Sequence, residues 1–477
     1  MLSVAWFGAN ATAVPNYFRV CPESFPIAAA VQSCLVVRLL NPRRAISTAV
    51  KFRRLLKLLA VVPAAGWPLL LPAQLLPPPD LLLTEPRPAL LILGPLDVHV
   101  RASSAFFYDD NINVHGEGPV LDGIQTGGTR RPLGDDFITT IGPGIILNKA
   151  ATLEDSRTAF SLDYSPTFVF FAKNDEENSI DHTVRAEGGY ALTKLTLGVV
   201  QEYVSTAGSV IDVGDRVSQV NYRTTANARY ELTGKTFLQT DGAYRITDYE
   251  ALTDSTEWTV SATVNYQLSP KVTLGLGGSV GQLFVTEESQ FQYVAGTNTN
   301  TVVRTGTQTQ THFGPTFRAS YRTTEKTDVS ISVGGDWRRY PGGQSSFDPV
   351  FSITATYRPF ETTAFSFEAH RQEQNSAVLN GQNFISTGFS LAMRQKLWDR
   401  LTGHFTFSFN NSEYKSTQRN VRATRSDDYF LLRYGLDAII RQSWTVGIFH
   451  QYREDTSSDE SFSFENNQAG IQVSWLY

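Results

Sequence analysis

The chain has 477 residues, of which 12% are Phe, Tyr or Trp and only 18% carry a charge. Its mean hydropathy is slightly negative. A helical membrane protein would be more apolar and a soluble enzyme more highly charged, so the composition argues against both classes. Residues 1–96 have a net charge of +6 and the remainder a net charge of −11. An acidic body argues against a nucleic-acid partner, which would require a basic face.

The N-terminal segment has the pattern of an export signal. A basic stretch, Lys51 to Lys57, precedes a mostly apolar stretch from Leu58 to Ala73. This pattern predicts a signal peptide over residues 50–74, with cleavage after Ala73. Residues 1–49 are then either a spurious extension before a true start near Val50 or an unusually long leader. We expect this leader to be partly helical or disordered.

Residues 75–96 are rich in Pro and Leu, which predicts a linker without regular structure. Both cysteines, Cys21 and Cys34, precede this linker. The body therefore cannot hold a disulfide framework or a thiolate metal site.

From residue 97 to residue 477 the dominant pattern is alternation with period two. Phe405, Phe407 and Phe409, for example, alternate with polar or small side chains. Because successive side chains of a strand point to opposite faces, this pattern predicts strands with one apolar face and one polar face. The predicted strands are 97–108, 136–148, 157–171, 181–191, 195–204, 218–231, 236–248, 255–268, 271–285, 308–322, 327–338, 347–358, 363–373, 383–395, 400–412, 428–440, 444–453 and 466–477.

The lengths of the strands and connections distinguish a membrane barrel from a soluble sandwich. Most predicted strands are long enough to cross a bilayer when tilted, and short turns alternate with longer polar loops. The pattern predicts an all-β fold, a closed antiparallel up-and-down transmembrane β-barrel of 16–18 strands over residues 97–477. Tryptophan and tyrosine residues near the strand ends predict interfacial girdles. The predicted location is the bacterial outer membrane, in contact with lipid and lipopolysaccharide.

Three short segments carry a family resemblance. Tyr108-Asp109-Asp110-Asn111-Ile112 follows the first strand, and Asp135-Asp136-Phe137-Ile138 leads into the second. Together with the C-terminal strand, these segments resemble the "putative β-barrel porin 2" family of bacterial outer-membrane proteins over roughly residues 97–477. The resemblance implies an outer-membrane barrel without a defined substrate. The last strand, which ends in Tyr477, is similar to the signal by which such barrels engage the barrel assembly machinery.

A barrel of this size leaves an aqueous channel, whose lining follows from the alternation. The predicted pore-lining charges are Arg185, Glu187, Arg223, Arg229, Asp241, Arg318, Arg322, Asp328, Asp336, Arg338, Glu368, Arg394, Arg433 and Asp437. Such charges either orient passing solutes or are simply solvated and paired with their neighbours.

The long loop 109–135 is a candidate for folding inward to narrow the pore. Its acidic ends are Asp109 with Asp110 and Asp135 with Asp136. These carboxylates either bind a divalent cation at the outer rim or serve as turn residues.

No histidine pair has metal-ligand spacing, and HExxH is absent. We therefore predict no enzyme activity, no catalytic residue and no cofactor. The leading functional hypothesis is passive diffusion of small hydrophilic solutes. A barrel serving exopolysaccharide secretion or envelope structure is the alternative, and a soluble or surface-attached all-β binding protein is a third hypothesis. The sequence leaves the oligomeric state open.

Overall fold

A computed structural model of the chain describes residues 18–19, 36–37, 89–114, 134–149, 157–250, 252–287, 290–293, 300–303, 307–324, 326–378, 381–418, 421, 423–441 and 443–477. The predicted signal peptide and nearly all of residues 1–49 lie outside the described residues. No helix among the described residues is long and apolar enough to cross a membrane.

Eighteen antiparallel strands form one closed ring. We number them β1 to β18 in chain order: Leu96–Asp109, Asp136–Lys149, Thr158–Phe171, Ser179–Ala191, Leu195–Val210, Asp215–Glu231, Thr236–Tyr249, Thr253–Ser269, Val272–Glu287, Gln308–Thr324, Thr327–Arg339, Ser345–Phe360, Thr363–Asn375, Gln382–Trp398, Leu401–Ser416, Ser426–Arg441, Trp444–Ser457 and Phe464–Leu476. The predicted closed barrel is confirmed, at the upper end of its predicted strand count.

The remaining elements are short. Leu91–Leu93 pairs with the beginning of β1, Phe18–Arg19 pairs with Val36–Val37, and Gln290–Tyr293 pairs with Asn300–Val303 between β9 and β10. Single 3-10 turns occupy Asp175–Glu177, Pro341–Gly343 and Glu460–Phe462. The prediction of a structureless linker over 75–96 therefore needs correction at its end, because backbone pairing with β1 extends Leu91–Leu93 into a strand.

The ring closes between the last strand and the first. Gln468 lies opposite Asp109 at one end of this seam, and Leu476 lies opposite Arg101 at the other. The amide of Tyr477 donates to the carbonyl of Val100 at 3.0 Å, and the Val100 amide donates back at 3.3 Å. Closure leaves no unpaired strand edge, which is the condition for a sheet to stand in hydrocarbon.

Each of the eighteen strands exposes at least one large apolar side chain. Leu276, for example, is 68% exposed and Trp398 is 70% exposed. Contact of so many large apolar side chains with water would be unfavourable. Tyr190, Tyr230 and Tyr266 are exposed just before short turns, as expected for an aromatic girdle at that rim. The outer surface is therefore an apolar wall suited to lipid tails.

We predict that a charge is tolerated on one face of β14 and not on the other. Leu391→Arg, which places a charge on the lipid-facing side, should lower the free energy of unfolding by about 2–4 kcal/mol. Ser390→Arg is the matched control, because residue 390 faces inward and lies directly opposite Glu368. Urea unfolding in phospholipid bilayers measures both variants, and equal losses would contradict the assigned faces.

Candidate functional site in the barrel lumen

The fourteen predicted pore-lining charges all lie on the inner face of the wall. In the middle of each strand, these charges have the opposite parity to the exposed apolar residues, as Arg318 has to Phe317 and Tyr321. Trp398 and Ile439, which lie next to short turns, are exceptions to this parity. An ion pair between β7 and β10 supports this placement directly. Arg318 Nη1 lies 2.9 Å from Asp241 Oδ2, although two strands separate them along the wall, so their contact must pass through the interior. That these residues line a conducting path stays a prediction.

Several of these charges pair with one another along the wall. Arg322 Nη2 lies 2.6 Å from Asp328, and Arg338 Nη2 lies 3.0 Å from Asp336. Arg185 contacts Glu202, and its Nε lies 2.5 Å from Glu187. Acidic and basic groups therefore mix locally on these parts of the wall.

The other predicted lumen residues have different partners. Arg229 stacks 3.6 Å above the ring of Phe237 and contacts Glu231 at 2.9 Å. Asp437 lies 3.2 Å from His404 Nδ1, and Arg433 stacks 4.8 Å above Phe449. Arg223 lies opposite Glu202 and Arg245, Glu368 lies opposite Thr354 and Ser390, and Arg394 lies opposite Ala364 and His404.

The hairpin tip between β5 and β6 is the most unusual feature of the lumen. We define this tip as residues 208–217. Residues 212–217 are all buried, although successive side chains on a strand point to opposite faces. A hairpin that stood free in solvent would expose at least one face. The tip is therefore folded into the interior and covered on both sides.

Asp212 holds this tip against the far side of the barrel. Its carboxylate accepts hydrogen bonds from the Ala377 amide at 2.7 Å, from Ser376 Oγ at 3.2 Å and from the Tyr414 hydroxyl. Tyr414 belongs to β15, which lies nine strands from β6 in an eighteen-strand ring. Because nine strands are half of the circumference, the tip crosses the lumen to the opposite wall.

Arg425 and Phe462 clamp the turn of the tip. Arg425 Nη1 donates to the Asp212 carbonyl at 2.8 Å, and its guanidinium stacks 3.5 Å above the Phe462 ring. Gly214 has a φ of 64°, and a side chain there would begin 3.2 Å from the Phe462 ring. Both the left-handed backbone and the close approach therefore require glycine at this position.

Apolar contacts complete the packing at the outer mouth. Val213 and Val217 of the tip form a buried cluster with Leu252 and Ala377. The described start of loop 109–135 also folds inward, since Ile112 is 1% exposed and its carbonyl accepts from Ser209 at 3.3 Å. The described part of this loop thus follows the predicted inward fold, while residues 115–133 lie outside the described residues.

A second buried network joins the outer ends of β10 to β15. Lys415 Nζ lies 2.5 Å from Glu373 and 2.7 Å from Asp348, and the Tyr340 hydroxyl donates to Glu373 at 2.7 Å. Asn383 Nδ2 on β14 donates to Gln310 Oε1 on β10 at 2.8 Å, across three intervening strands. These strand ends are therefore drawn together inside the mouth.

The four acidic residues of the predicted cation site are divided between two hydrogen-bond networks. Asp109 accepts from Gln468 at 2.6 Å and from Asn466, and Asp110 accepts from the Asn467 amide at 2.6 Å. The Asp135 carboxylate pairs with Lys173 at 2.7 Å. In the part of the chain that the structure describes, no three His, Cys, Asp or Glu side chains are placed to hold a metal ion. Binding of a divalent cation by these four aspartates stays a prediction.

Asp136 illustrates why the turn interpretation fits better. Its buried carboxylate accepts hydrogen bonds from the amides of Phe137, Ala172, Lys173 and Asn174 and from the Asn174 side chain. Although burial acts to raise its pKa, these donors hold the pKa of Asp136 below its usual value. The carboxylate therefore serves as a structural acceptor for the loop between β3 and β4.

Sequence reasoning missed Asp212, Tyr414, Arg425 and Phe462, because their partners are distant in the chain. A weak signal was present at the tip. Val210, Ile211 and Val213 are apolar residues within a segment predicted to be a polar loop. Consecutive apolar side chains in a loop indicate burial on more than one side, although they do not identify what covers them.

The family comparison covers the C-terminal strands. Residues 349–476, from within β12 to the end of β18, match the model of the family described as putative beta-barrel porin 2. The predicted resemblance is confirmed over this segment. Together with the closed ring and its apolar exterior, this match decides the location. The chain is a bacterial outer-membrane β-barrel.

Solved structures resemble the barrel only distantly. OccAB3 from Acinetobacter baumannii is 8% identical, with a TM-score of 0.40, and the match covers 80% of this chain and 98% of that one. The outer membrane protein opdK from Pseudomonas aeruginosa is 12% identical, with a TM-score of 0.37 and coverage of 80% and 98%. The siderophore receptor PiuA from Acinetobacter baumannii is 8% identical, with a TM-score of 0.40 and coverage of 80% and 82%. No curated protein matches the chain in sequence.

We predict that Asp212→Ala releases the tip. The substitution leaves the Ala377 amide and the hydroxyls of Ser376 and Tyr414 without their acceptor, at a cost of about 1–3 kcal/mol. Hydrogen exchange of residues 208–217 should accelerate while the wall strands keep their protection. Asp399→Ala in the short turn between β14 and β15 is the control, because its exposed side chain pairs with Lys396 at the rim opposite the tip. Unchanged exchange at the tip would contradict the role of Asp212.

Asp455 is a buried carboxyl above the lipid-facing band of β17. Its outward neighbour Glu454 is charged, so this end of the strand projects beyond the hydrocarbon. Neither carboxyl oxygen of Asp455 has a hydrogen-bond partner among the described residues. Burial, with the nearby charge of Asp427, raises the pKa of Asp455 to about 8, against the opposing effect of Arg425.

This shifted pKa predicts that the outer mouth is less stable at neutral pH than in mild acid. Because the folded state holds the proton more tightly than the unfolded chain, stability falls as the pH rises from about 4 to about 8 and is level above that. The loss is at most roughly 6 kcal/mol, at about 1.4 kcal/mol per pKa unit. Denaturant unfolding across this pH range should show the slope in the wild type and lose it in Asp455→Asn. Glu454→Gln should keep the slope, and a slope that survives Asp455→Asn would refute the assignment.

Proposed function

We propose that the barrel is a passive diffusion channel for small hydrophilic solutes, narrowed at its outer mouth by the β5–β6 tip. The observation that carries the proposal is the inner face itself, where charged residues occupy positions that alternate with exposed apolar ones. Eighteen strands enclose an interior too wide for wall side chains alone to fill. A polar interior of this width suits hydrated solutes, whereas a packed core would be lined by apolar side chains.

In such a channel, the resistance to solute passage is greatest at the level of the tip. It spans the lumen from β6 to Tyr414 on β15, and Arg425 and Phe462 hold its turn. Below this level, wall side chains such as Arg318 and Asp241 are the described groups that project into the interior. We therefore infer a wide lower vestibule and a restricted outer mouth, with no catalytic step.

The same crossing tip also favours a second candidate. A barrel whose outer mouth is packed by its own hairpins can serve as an envelope-structural element or as part of an exopolysaccharide secretion system, without general porin activity. The buried cluster of Val213, Val217, Leu252 and Ala377 supports this alternative, since such packing resists solute entry.

Planar-bilayer recording separates the two candidates. The wild type should give discrete conductance steps, and a variant in which residues 208–217 are replaced by Asn-Gly should give larger ones. Ala207 and Ser218 lie directly opposite each other, so a two-residue turn can join them without changing the register.

Heat-modifiable gel migration checks that each barrel is folded. Folded wild-type protein without conductance would overturn the diffusion proposal. Conductance that appears only in the shortened variant would then support the structural candidate. Equal steps in both proteins would contradict the role of the tip as the restriction.

A further inference from the structure

Basic side chains are spread around the rim of the barrel that carries the short turns. Six of these turns contain or adjoin an exposed lysine or arginine. We call these residues the basic rim, and they are Lys194, Lys235, Lys271, Arg358, Arg400 and Arg441. They belong to six different hairpins, so they are distributed around much of the circumference. Positive charge repeated at one end of a membrane barrel favours contact with an anionic partner at that level.

Neighbouring carboxylates leave most of this charge unbalanced. In the part of the chain that the structure describes, none of the six side chains of the basic rim forms an ion pair. Two acidic residues near the same rim, Glu231 and Asp399, are already paired with Arg229 and Lys396. Glu361 is exposed at this rim and offsets only part of the charge. The basic rim can therefore interact with a group outside the barrel.

The apolar neighbours of the basic rim show its level in the membrane. Within three residues of every member lies a large apolar side chain that is exposed. These apolar residues are Leu192, Leu232, Leu268, Phe360, Trp398 and Ile440. Because their exposure to water would be unfavourable, they indicate where the hydrocarbon region ends. Lysine and arginine extend their stems along apolar surface and keep the charge in the polar layer. The basic rim therefore lies at the level of the lipid headgroups.

Part of the opposite rim has the reverse charge on its outer surface. Glu454 on β17 and Glu465 on β18 lie directly opposite each other, and Asp428 is exposed on the neighbouring strand β16. The two glutamates face outward, since Glu454 has the strand parity of the exposed Ile448 and Glu465 that of the exposed Ile471. An anionic headgroup would be repelled at these positions and attracted at the basic rim.

We propose that the basic rim binds the phosphate groups of anionic phospholipids in the leaflet next to the short turns. The short turns of outer-membrane barrels face the periplasm, so this is the periplasmic leaflet. Ammonium and guanidinium groups both bind phosphate oxygens, and basic side chains beside a membrane are attracted to anionic lipids. A lipid is favoured over a glycan or an acidic protein because the apolar neighbours place the charges in the headgroup layer. The inference concerns the outer surface of the barrel and is independent of conduction through the lumen.

Spin-labelled lipids test the proposal on the full-length barrel reconstituted in phosphatidylcholine vesicles. Electron paramagnetic resonance measures the association of labelled phosphatidylglycerol with the protein surface relative to labelled phosphatidylcholine. At low salt the wild type should prefer phosphatidylglycerol about two- to fivefold. One basic side chain contributes about a factor of five at an anionic surface, and only some of the surrounding lipids contact one. In 1 M salt the preference should disappear, because the screening length falls to about 3 Å.

Substitutions separate the basic rim from the rest of the charge on the barrel. Replacing all six residues by glutamine should abolish the preference for phosphatidylglycerol. Exchanging lysine for arginine and arginine for lysine at the same six positions should retain it, since the positive charge stays.

A pair of double variants provides a control that removes equal charge. Lys235→Gln with Lys271→Gln should lower the preference more than Lys173→Gln with Arg339→Gln at the opposite rim. Lys173 is already paired with Asp135, and the Arg339 guanidinium lies 5.7 Å from the centre of the Phe313 ring. Equal losses in the two double variants would contradict a specific role for the basic rim.

Heat-modifiable gel migration shows that each variant is folded before its lipid preference is measured. A wild type without preference for phosphatidylglycerol would overturn the proposal and leave the basic rim to another anionic partner. A preference that survives 1 M salt or the sixfold glutamine variant would overturn it as well. A preference that follows the predicted pattern in a barrel without conductance would support the lipid contact and defeat the diffusion proposal, so the two failures are distinguishable.

Discussion

The backbone hydrogen bonds between β18 and β1 are the interaction on which the rest of the barrel depends. In hydrocarbon an unpaired amide or carbonyl has no water to bind, so a sheet that stayed open would expose two costly edges. Pairing from Gln468 with Asp109 to Leu476 with Arg101 removes both edges. Asp109, Asn466 and Gln468 add side-chain hydrogen bonds across the outer part of the seam. Every other feature of the molecule presupposes this closed ring.

Closure gives every strand one side that faces lipid and one side that faces the interior. The chain either fills this interior with its own residues or leaves it open to water. Along the wall, Arg318, Asp241 and their neighbours balance one another as ion pairs. At the outer mouth the chain instead fills the space with the β5–β6 tip, which Asp212 fastens to the opposite wall. Two arrangements thus lie at different levels of one lumen. The tip packs the outer mouth, and paired charges line the inner face below it.

The strand pattern could be predicted closely because it depends on local alternation. Most predicted boundaries fall within three residues of the observed ones, as for the strand predicted at 363–373 and found at Thr363–Asn375. The largest difference is at β5, which ends at Val210, six residues beyond the predicted end. There the tip continues the hairpin into the interior and is buried on both faces. Because the strand limits were predicted from the alternation of apolar and polar residues, a segment buried on both faces gives no signal for the end of β5.

The amino-acid sequence by itself determined which side of each strand meets lipid. Alternation is a local property, and one inversion of parity would expose a whole row of charges to hydrocarbon. It also determined the fourteen inward charges, including Arg223, whose opposition to Arg245 needed only the pairing of adjacent strands. Only the tertiary structure decided that Asp212 meets Tyr414 and that the four rim aspartates divide between separate networks. Those contacts cross the lumen, cross the closing seam or join separate loops, and local alternation along a strand carries no information about any of them.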